Sequence, residues 1–190
     1  KGVIWHTQGS GKSIIMVFLT KWILENNPKG RVVIITDRNE LDKQIEDIFS
    51  DSGISIERAK SGKDLVSKLK SATPRILCSL IHKFGKRDID NFDIYIKSLN
   101  KNHLEAEGDI FVLVDECHRT QSGKLHKIMK AYLPDATFFG FTGTPLLKRD
   151  KTTSKEVFGG YIHKYLLDEA VKDKVINGSE TAFNFLVNIT

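Results

Sequence analysis

Val3-Ile4-Trp5-His6-Thr7-Gln8-Gly9-Ser10-Gly11-Lys12-Ser13 leads from an apolar segment through a glycine-rich loop into Ile14-Ile15-Met16-Val17-Phe18-Leu19. The first three residues have strand character. The run after Ser13 continues to Trp22-Ile23-Leu24, too long and too even for a strand beside such a loop, so it predicts a buried helix that stops before Pro28. Strand, glycine-rich loop and helix form the setting that a phosphate-binding loop requires. Gly9 and Gly11 let backbone amides approach phosphate oxygens with no side chain in the way, and a helix starting near Lys12 adds its dipole. The candidate phosphate-binding residues are therefore Thr7, Gln8, Gly9, Ser10, Gly11, Lys12 and Ser13. Lys12 would reach the β- and γ-phosphates of ATP, and Ser13 would place its hydroxyl on Mg²⁺. The generic pattern opens on glycine where this chain has His6.

Outward from that loop, short apolar strands alternate with amphipathic helical stretches, the pattern of an α/β fold with a mainly parallel sheet. Strands are predicted over 31–36, weakly over 54–58, and over 75–80, 111–114 and 137–141. Leu41, Ile45, Ile48 and Phe49 fall at helical spacing behind a capping Asp37, with closure near Gly53. Leu65, Val66 and Leu69 mark a short helix, and Leu125, Ile128, Met129 and Tyr132 another that Pro134 terminates. Trp5, Trp22, Phe138, Phe139 and Phe141 read as core, and Cys117 as a small buried residue.

Phe111-Val112-Leu113-Val114 has no polar interruption and ends on Asp115 and Glu116. A strand buried on both faces reads this way, and both carboxylates then lie at the carboxyl edge of the sheet, where open α/β sheets bind ligands. Asp115 would hold Mg²⁺, largely through water, and Glu116 would orient and polarise an attacking water. The acid pair or the loop alone could be accidental. Together, in this order, they specify a nucleotide hydrolase.

The 190 residues have room for one domain of ordinary size, since a doubly wound sheet needs ~120–170. A composition 40% hydrophobic and 28% charged argues for a packed core and against a disordered chain. The longest unbroken apolar run, residues 14–19, falls far short of the ~20 of a membrane span, which disfavours membrane and secretory roles. Two cysteines, Cys78 and Cys117, provide no disulfide framework, and His82, His103, His126 and His163 share no ligand spacing, so the default is a cytoplasmic protein without zinc. A chain that opens at Lys1 without methionine reads as a fragment of something longer. The net charge of +5 is unevenly placed: between Arg58 and Arg87 nine basic residues face one acid. Charge alone leaves a solvated helix face and a phosphate-contacting surface equally open.

Asp115-Glu116-Cys117-His118 resembles the acid box of superfamily 2 helicases and translocases, and Phe141-Thr142-Gly143-Thr144-Pro145 resembles their motif III. The match narrows with His6-Thr7-Gln8-Gly9-Ser10-Gly11-Lys12-Ser13, Thr36-Asp37-Arg38-Asn39-Glu40-Leu41-Asp42-Lys43-Gln44, Ser79-Leu80-Ile81-His82-Lys83-Phe84 and Asp115-Glu116-Cys117-His118-Arg119-Thr120-Gln121. These, with Phe158-Gly159-Gly160-Tyr161-Ile162-His163-Lys164-Tyr165 and Asp168-Glu169-Ala170-Val171-Lys172-Asp173, resemble the R subunit of type I restriction-modification enzymes over nearly the whole chain. In that family histidine at the position of His6 is usual. The resemblance implies the first RecA-like motor domain, a P-loop NTPase three-layer sandwich over residues 1–147 with 85–108 an insertion. Residues 148–190 would connect to a second motor domain. It implies an ATP- and Mg²⁺-dependent translocase on double-stranded DNA, working with modification and specificity subunits. Carried over, Lys12, Asp115, Glu116 and His118 are catalytic, and Thr142, Gly143 and Thr144 couple nucleotide to movement, with His118 relaying to Thr142 or Thr144. Residues 36–44 and 79–84 line the DNA path, which makes Arg38, Lys60, Lys63, Lys68, Lys70 and Lys83 the DNA-contact candidates.

The family is also a nuclease, whose usual metal-dependent pattern places an acid two residues before a lysine; no Asp-x-Lys or Glu-x-Lys occurs here. The cleavage centre is therefore expected elsewhere, as is the arginine of a second motor domain, so the isolated fragment is expected to hydrolyse ATP weakly. Two other classes compete: another superfamily 2 helicase, acting on DNA or RNA, and a P-loop kinase or nucleotide-dependent switch. No residue decides RNA against DNA. A kinase would need an acceptor site and a basic lid, neither of which is evident, and leaves motif III unexplained.

Overall fold

The computed structural model describes residues 1–36, 39–80, 105–115, 117, 123–144 and 158–175, with backbone alone for 39–44 and 123–126. The described strands are β1 (Gly2–His6), β2 (Gly30–Thr36), β3 (Glu57–Arg58), β4 (Ile76–Leu80), β5 (Asp109–Val114), β6 (Thr137–Thr142) and β7 (Tyr161–Tyr165). The helices are α1 (Lys12–Asn26), α2 (Asn39–Asp51), α3 (Gly62–Leu69), α4 (Gly123–Tyr132) and α5 (Leu167–Lys172). All seven strands form one sheet in the order β3-β4-β2-β5-β6-β1-β7, and every pairing is parallel.

The middle strands have no polar face because both of their faces are covered. Val32 and Ile34 of β2 join Leu113, Met16, Val17 and Ile23 of α1, and Ile45 and Phe49 of α2 in one core. Val33 and Ile35 point the other way and join Val112, Val114, Leu65 and Leu69 of α3, and Ile128 and Met129 of α4. Helices therefore cover both faces of the sheet, the expected three-layer α/β sandwich. Gly140 of β6 sits where a Cβ would come within 2.9 Å of the Cys117 sulfur and 3.2 Å of the Phe158 ring, so this close approach needs glycine. No helix among the described residues is long and apolar enough to cross a membrane.

One expectation from the sequence is corrected. Helix α1 is not buried all round: Met16, Val17, Thr20 and Ile23 face the sheet, while Ile14, Phe18 and Trp22 are 53%, 65% and 62% exposed. An evenly apolar sequence carries no signal for which side meets the core, so the expectation of a core Trp22 fails. The sheet itself takes in a strand beyond residue 147. Within the stretch expected to be a connecting segment, β7 pairs with β1 and places its neighbour Phe158 in the core. The polar edge strand Tyr161-Ile162-His163-Lys164-Tyr165 lacks the apolar run by which the central strands are recognised. Of the expected insertion, residues 85–104 lie outside the described residues.

The amino edge of the sheet is held by two buried or half-buried arginines. Arg31, 3% exposed, donates to the carbonyls of Lys68, Leu69, Pro74 and Glu107, tying the end of α3 to the strand starts. Arg75 donates to the carbonyls of Gly30, Leu24 and Asn27.

Candidate nucleotide-binding site

The site is built at the carboxyl edge, where the sheet order sets β6 between β1 and β5. The loop leaves β1 at His6 and turns back on itself, with the Ser10 amide and hydroxyl donating to the Thr7 carbonyl. Gly9 and Gly11 have φ of 79° and 82°, the left-handed region that favours glycine, which is why both glycines are needed here. Gly11 is the N-cap of α1, and no side chain caps the helix. The first turn also carries no acid, leaving the helix start electrostatically open to an anion. Lys12 and Ser13 occupy its first two positions.

Asp115 follows β5 directly and is 7% exposed, its amide donating to the Ile35 carbonyl of β2 at 2.8 Å. Two residues on, the Cys117 amide donates to the Phe141 carbonyl of β6 at 2.9 Å. The strand end carrying the acid is thereby fixed to both neighbours. Thr142 ends β6; its hydroxyl donates to the Thr144 carbonyl at 2.8 Å and accepts from the Thr144 amide at 3.2 Å, closing a tight turn around Gly143. The topology thus brings three predicted groups to one edge: the loop 7–13, Asp115, and the Thr142–Thr144 turn on the strand between them. Their donor types suit ATP and Mg²⁺: backbone amides and an ammonium for phosphate, a hydroxyl and a carboxylate for a hard divalent cation. Glu116, His118, Arg38 and Lys83 lie outside the described residues.

The lysine candidates do not stay together. Lys60 precedes α3 and Lys63 is in its first turn, both exposed and near the end of β3. Lys68 is paired to Asp64 at 2.6 Å and Glu57 at 2.9 Å, and its ammonium is stabilised above the usual lysine range mainly by the Asp64 hydrogen bond. Lys70 follows the other end of the helix, beside the carbonyls that Arg31 grips. Arg58 pairs with Glu46 at 2.7 Å.

The structure adds a group that sequence spacing missed. His6 Nε2 lies 2.8 Å from His163 Nδ1 of β7, and the His6 ring also packs on Tyr165 at 5.5 Å between centroids. Burial first, then His163 and Lys12, push the His6 imidazole below its usual pKa, while Glu169 opposes them. The one sequence signal was a histidine where the generic loop has glycine.

The SWI2/SNF2 ATPase family model matches residues 1–180. The chain belongs to this family. As a SWI2/SNF2 ATPase-family domain it is 36% identical over 204 residues to the type I restriction enzyme HindI endonuclease subunit of Haemophilus influenzae, an overlap of 90% of this chain and 17% of that subunit. It is 30% identical over 182 residues to the type I restriction enzyme SsaAORF53P endonuclease subunit of Staphylococcus saprophyticus, covering 93% and 19%. The resemblance read from the motifs therefore holds, and the chain spans less than a fifth of these relatives. Among solved structures it is similar to a nuclease-deletion mutant of the Type ISP restriction-modification enzyme LlaGI in complex with a DNA substrate mimic. There the TM-score is 0.62 at 13% identity, over 92% of this chain and 19% of the other. The Pyrococcus furiosus Hef helicase domain matches with TM-score 0.56 at 16% identity, over 87% and 34%. These likenesses show the fold, a RecA-like α/β domain.

Proposed function

We propose that this chain is the ATP-binding first motor domain of a type I restriction endonuclease subunit, coupling ATP hydrolysis to translocation along double-stranded DNA. The observation that supports it most is the convergence of the 7–13 loop, Asp115 and the Thr142–Thr144 turn at one sheet edge. In this reading the amides of the loop and Lys12 bind the phosphates, while Ser13 and Asp115 hold Mg²⁺, which supplies charge neutralisation when bound. Glu116 orients the attacking water, His118 relays to the motif III turn, and Thr142, Gly143 and Thr144 transmit the state of the nucleotide. Residues 1–147 with β7 and α5 form the motor unit, 85–108 is an insertion, and the rest leads to a second motor domain that completes the charge stabilisation. Double-stranded DNA, modification subunits and specificity subunits are the partners, the nuclease centre lies outside these residues, and the compartment is the cytoplasm. Lys60 and Lys63, exposed near the end of β3, are the DNA contacts favoured in this reading. The test is DNA-stimulated ATP hydrolysis by the intact protein. Lys12→Ala and Asp115→Ala should each abolish it while leaving DNA binding through the specificity subunit intact, and parental rates in either would refute the assignment.

A further inference from the structure

The first position of the generic phosphate loop needs no side chain, yet here it carries an imidazole that is 6% exposed. That ring reaches sideways across the sheet. Between Val3 and Ile4 the β1–β7 register shifts, setting His163 opposite Ile4 and Tyr165 opposite His6. The irregularity brings the two imidazoles to a 4.9 Å centroid separation with a 2.8 Å nitrogen–nitrogen contact, while the next amide, Thr7, donates to the Tyr165 carbonyl at 3.0 Å. Tyr165 is held in turn from α5, its hydroxyl donating to Asp173 at 2.9 Å, and the Leu166 amide donates to Glu169 at 2.8 Å. The start of the phosphate loop is therefore fastened to β7 at two successive residues, once by main chain and once by side chain.

We propose that His163 is a positioning residue for the phosphate loop: by holding the His6 ring it fixes the direction in which Thr7 and the amides after it leave β1. This rests on the reading that the 7–13 loop binds ATP. A contact between two ring nitrogens suits the role: one ring donates and the other accepts, and burial, which holds the His6 imidazole below its usual pKa, favours its uncharged form. The other groups around the pair are Lys164 and Tyr165 on β7 and Glu169 on α5. Since His163 acts on the base of the loop and not on the reacting atoms, removing it should be felt in nucleotide binding and not in the chemical step.

The experiment measures KM for ATP, kcat, and ADP affinity by fluorescence, using the intact protein with duplex DNA. His163→Ala should raise KM and weaken ADP about tenfold, with kcat within about twofold of the parent. His163→Gln, which keeps a hydrogen-bonding group, should restore most of the affinity. His163→Val, suited to an edge strand and without ring nitrogens, should repeat the alanine result and guards against a folding artefact. His6→Ala should match His163→Ala, and the double variant should be no worse than either, the signature of a shared interaction. A KM within twofold of the parent in both His163→Ala and His163→Val, an effect confined to kcat, or additive effects of the two histidines would each overturn the proposal. Lys12→Ala separates the two levels. If it still hydrolyses ATP, the ATP reading and the positioning role fall together; if it is inactive while the His163 variants are silent, the positioning role alone falls.

Discussion

The loop around Lys12 and the stretch around Lys60–Arg75 are both basic and glycine- or serine-punctuated, but they present their charge in opposite ways. At the loop, Gly9 and Gly11 take the left-handed backbone region, and Lys12 begins a helix whose first turn carries no acid, so the helix dipole is not offset there. In the other stretch much of the charge is used internally: Arg58 on Glu46, Lys68 on Asp64 and Glu57, and Arg75 on three carbonyls. Its helix start is already taken, since the Ser61 hydroxyl accepts from the Asp64 amide and Asp64 accepts from the Lys60 amide. A count of basic residues measures composition; what a ligand meets is the remainder after internal partners are satisfied. That remainder is the exposed pair Lys60 and Lys63 on one side and Lys70 on the other.

The largest effect expected is at the first region, where Lys12→Ala or Asp115→Ala should lower DNA-stimulated ATP turnover at least about 100-fold. Retained turnover would erase the contrast. Next comes the structural charge of the amino edge. Arg31→Met should cost on the order of 3 kcal/mol in urea unfolding, because several buried carbonyls are deprived of a charged donor at once. A cost under about 1 kcal/mol would mean that Arg31 is no more internal than a surface lysine. Smaller and sharper is the test of the remainder: Lys60→Glu with Lys63→Glu should flatten the log–log salt dependence of DNA-stimulated hydrolysis by about 0.9 for each phosphate no longer neutralised, and Lys70→Glu should leave it unchanged. Equal slopes in all of them would return the entire stretch to a solvated face. The smallest effect concerns His6. Its pKa is held below the unfolded value near 6.5, so the unfolded chain binds more protons in that range, and stability to urea should fall as pH drops below about 6.5. His6→Phe should weaken that acid limb; an identical limb would assign it to another group.

The order of strands and helices was legible because the central strands are continuous apolar runs and the helices at α2, α3 and α4 keep a polar face. The 7–13 loop, Asp115 and the Thr142–Thr144 turn were legible because each needs particular residue types at short spacing: glycine for positive φ, lysine and serine at a helix start, an acid after a buried strand. Those requirements act within a few residues, so the chain alone determined an α/β fold with these groups at its strand ends. What lay beyond it depended on contacts between distant residues. An evenly apolar α1 does not declare its exposed side, a polar Tyr161–Tyr165 does not declare itself a sheet strand, and His6 and His163, 157 positions apart, share no spacing. Likewise Arg31, Lys68 and Arg75 look like any surface cation until the fold surrounds them with carbonyls and carboxylates. Only the tertiary structure decided which charges remain for a partner, because burial and pairing are properties of the packed neighbours and not of the residue itself.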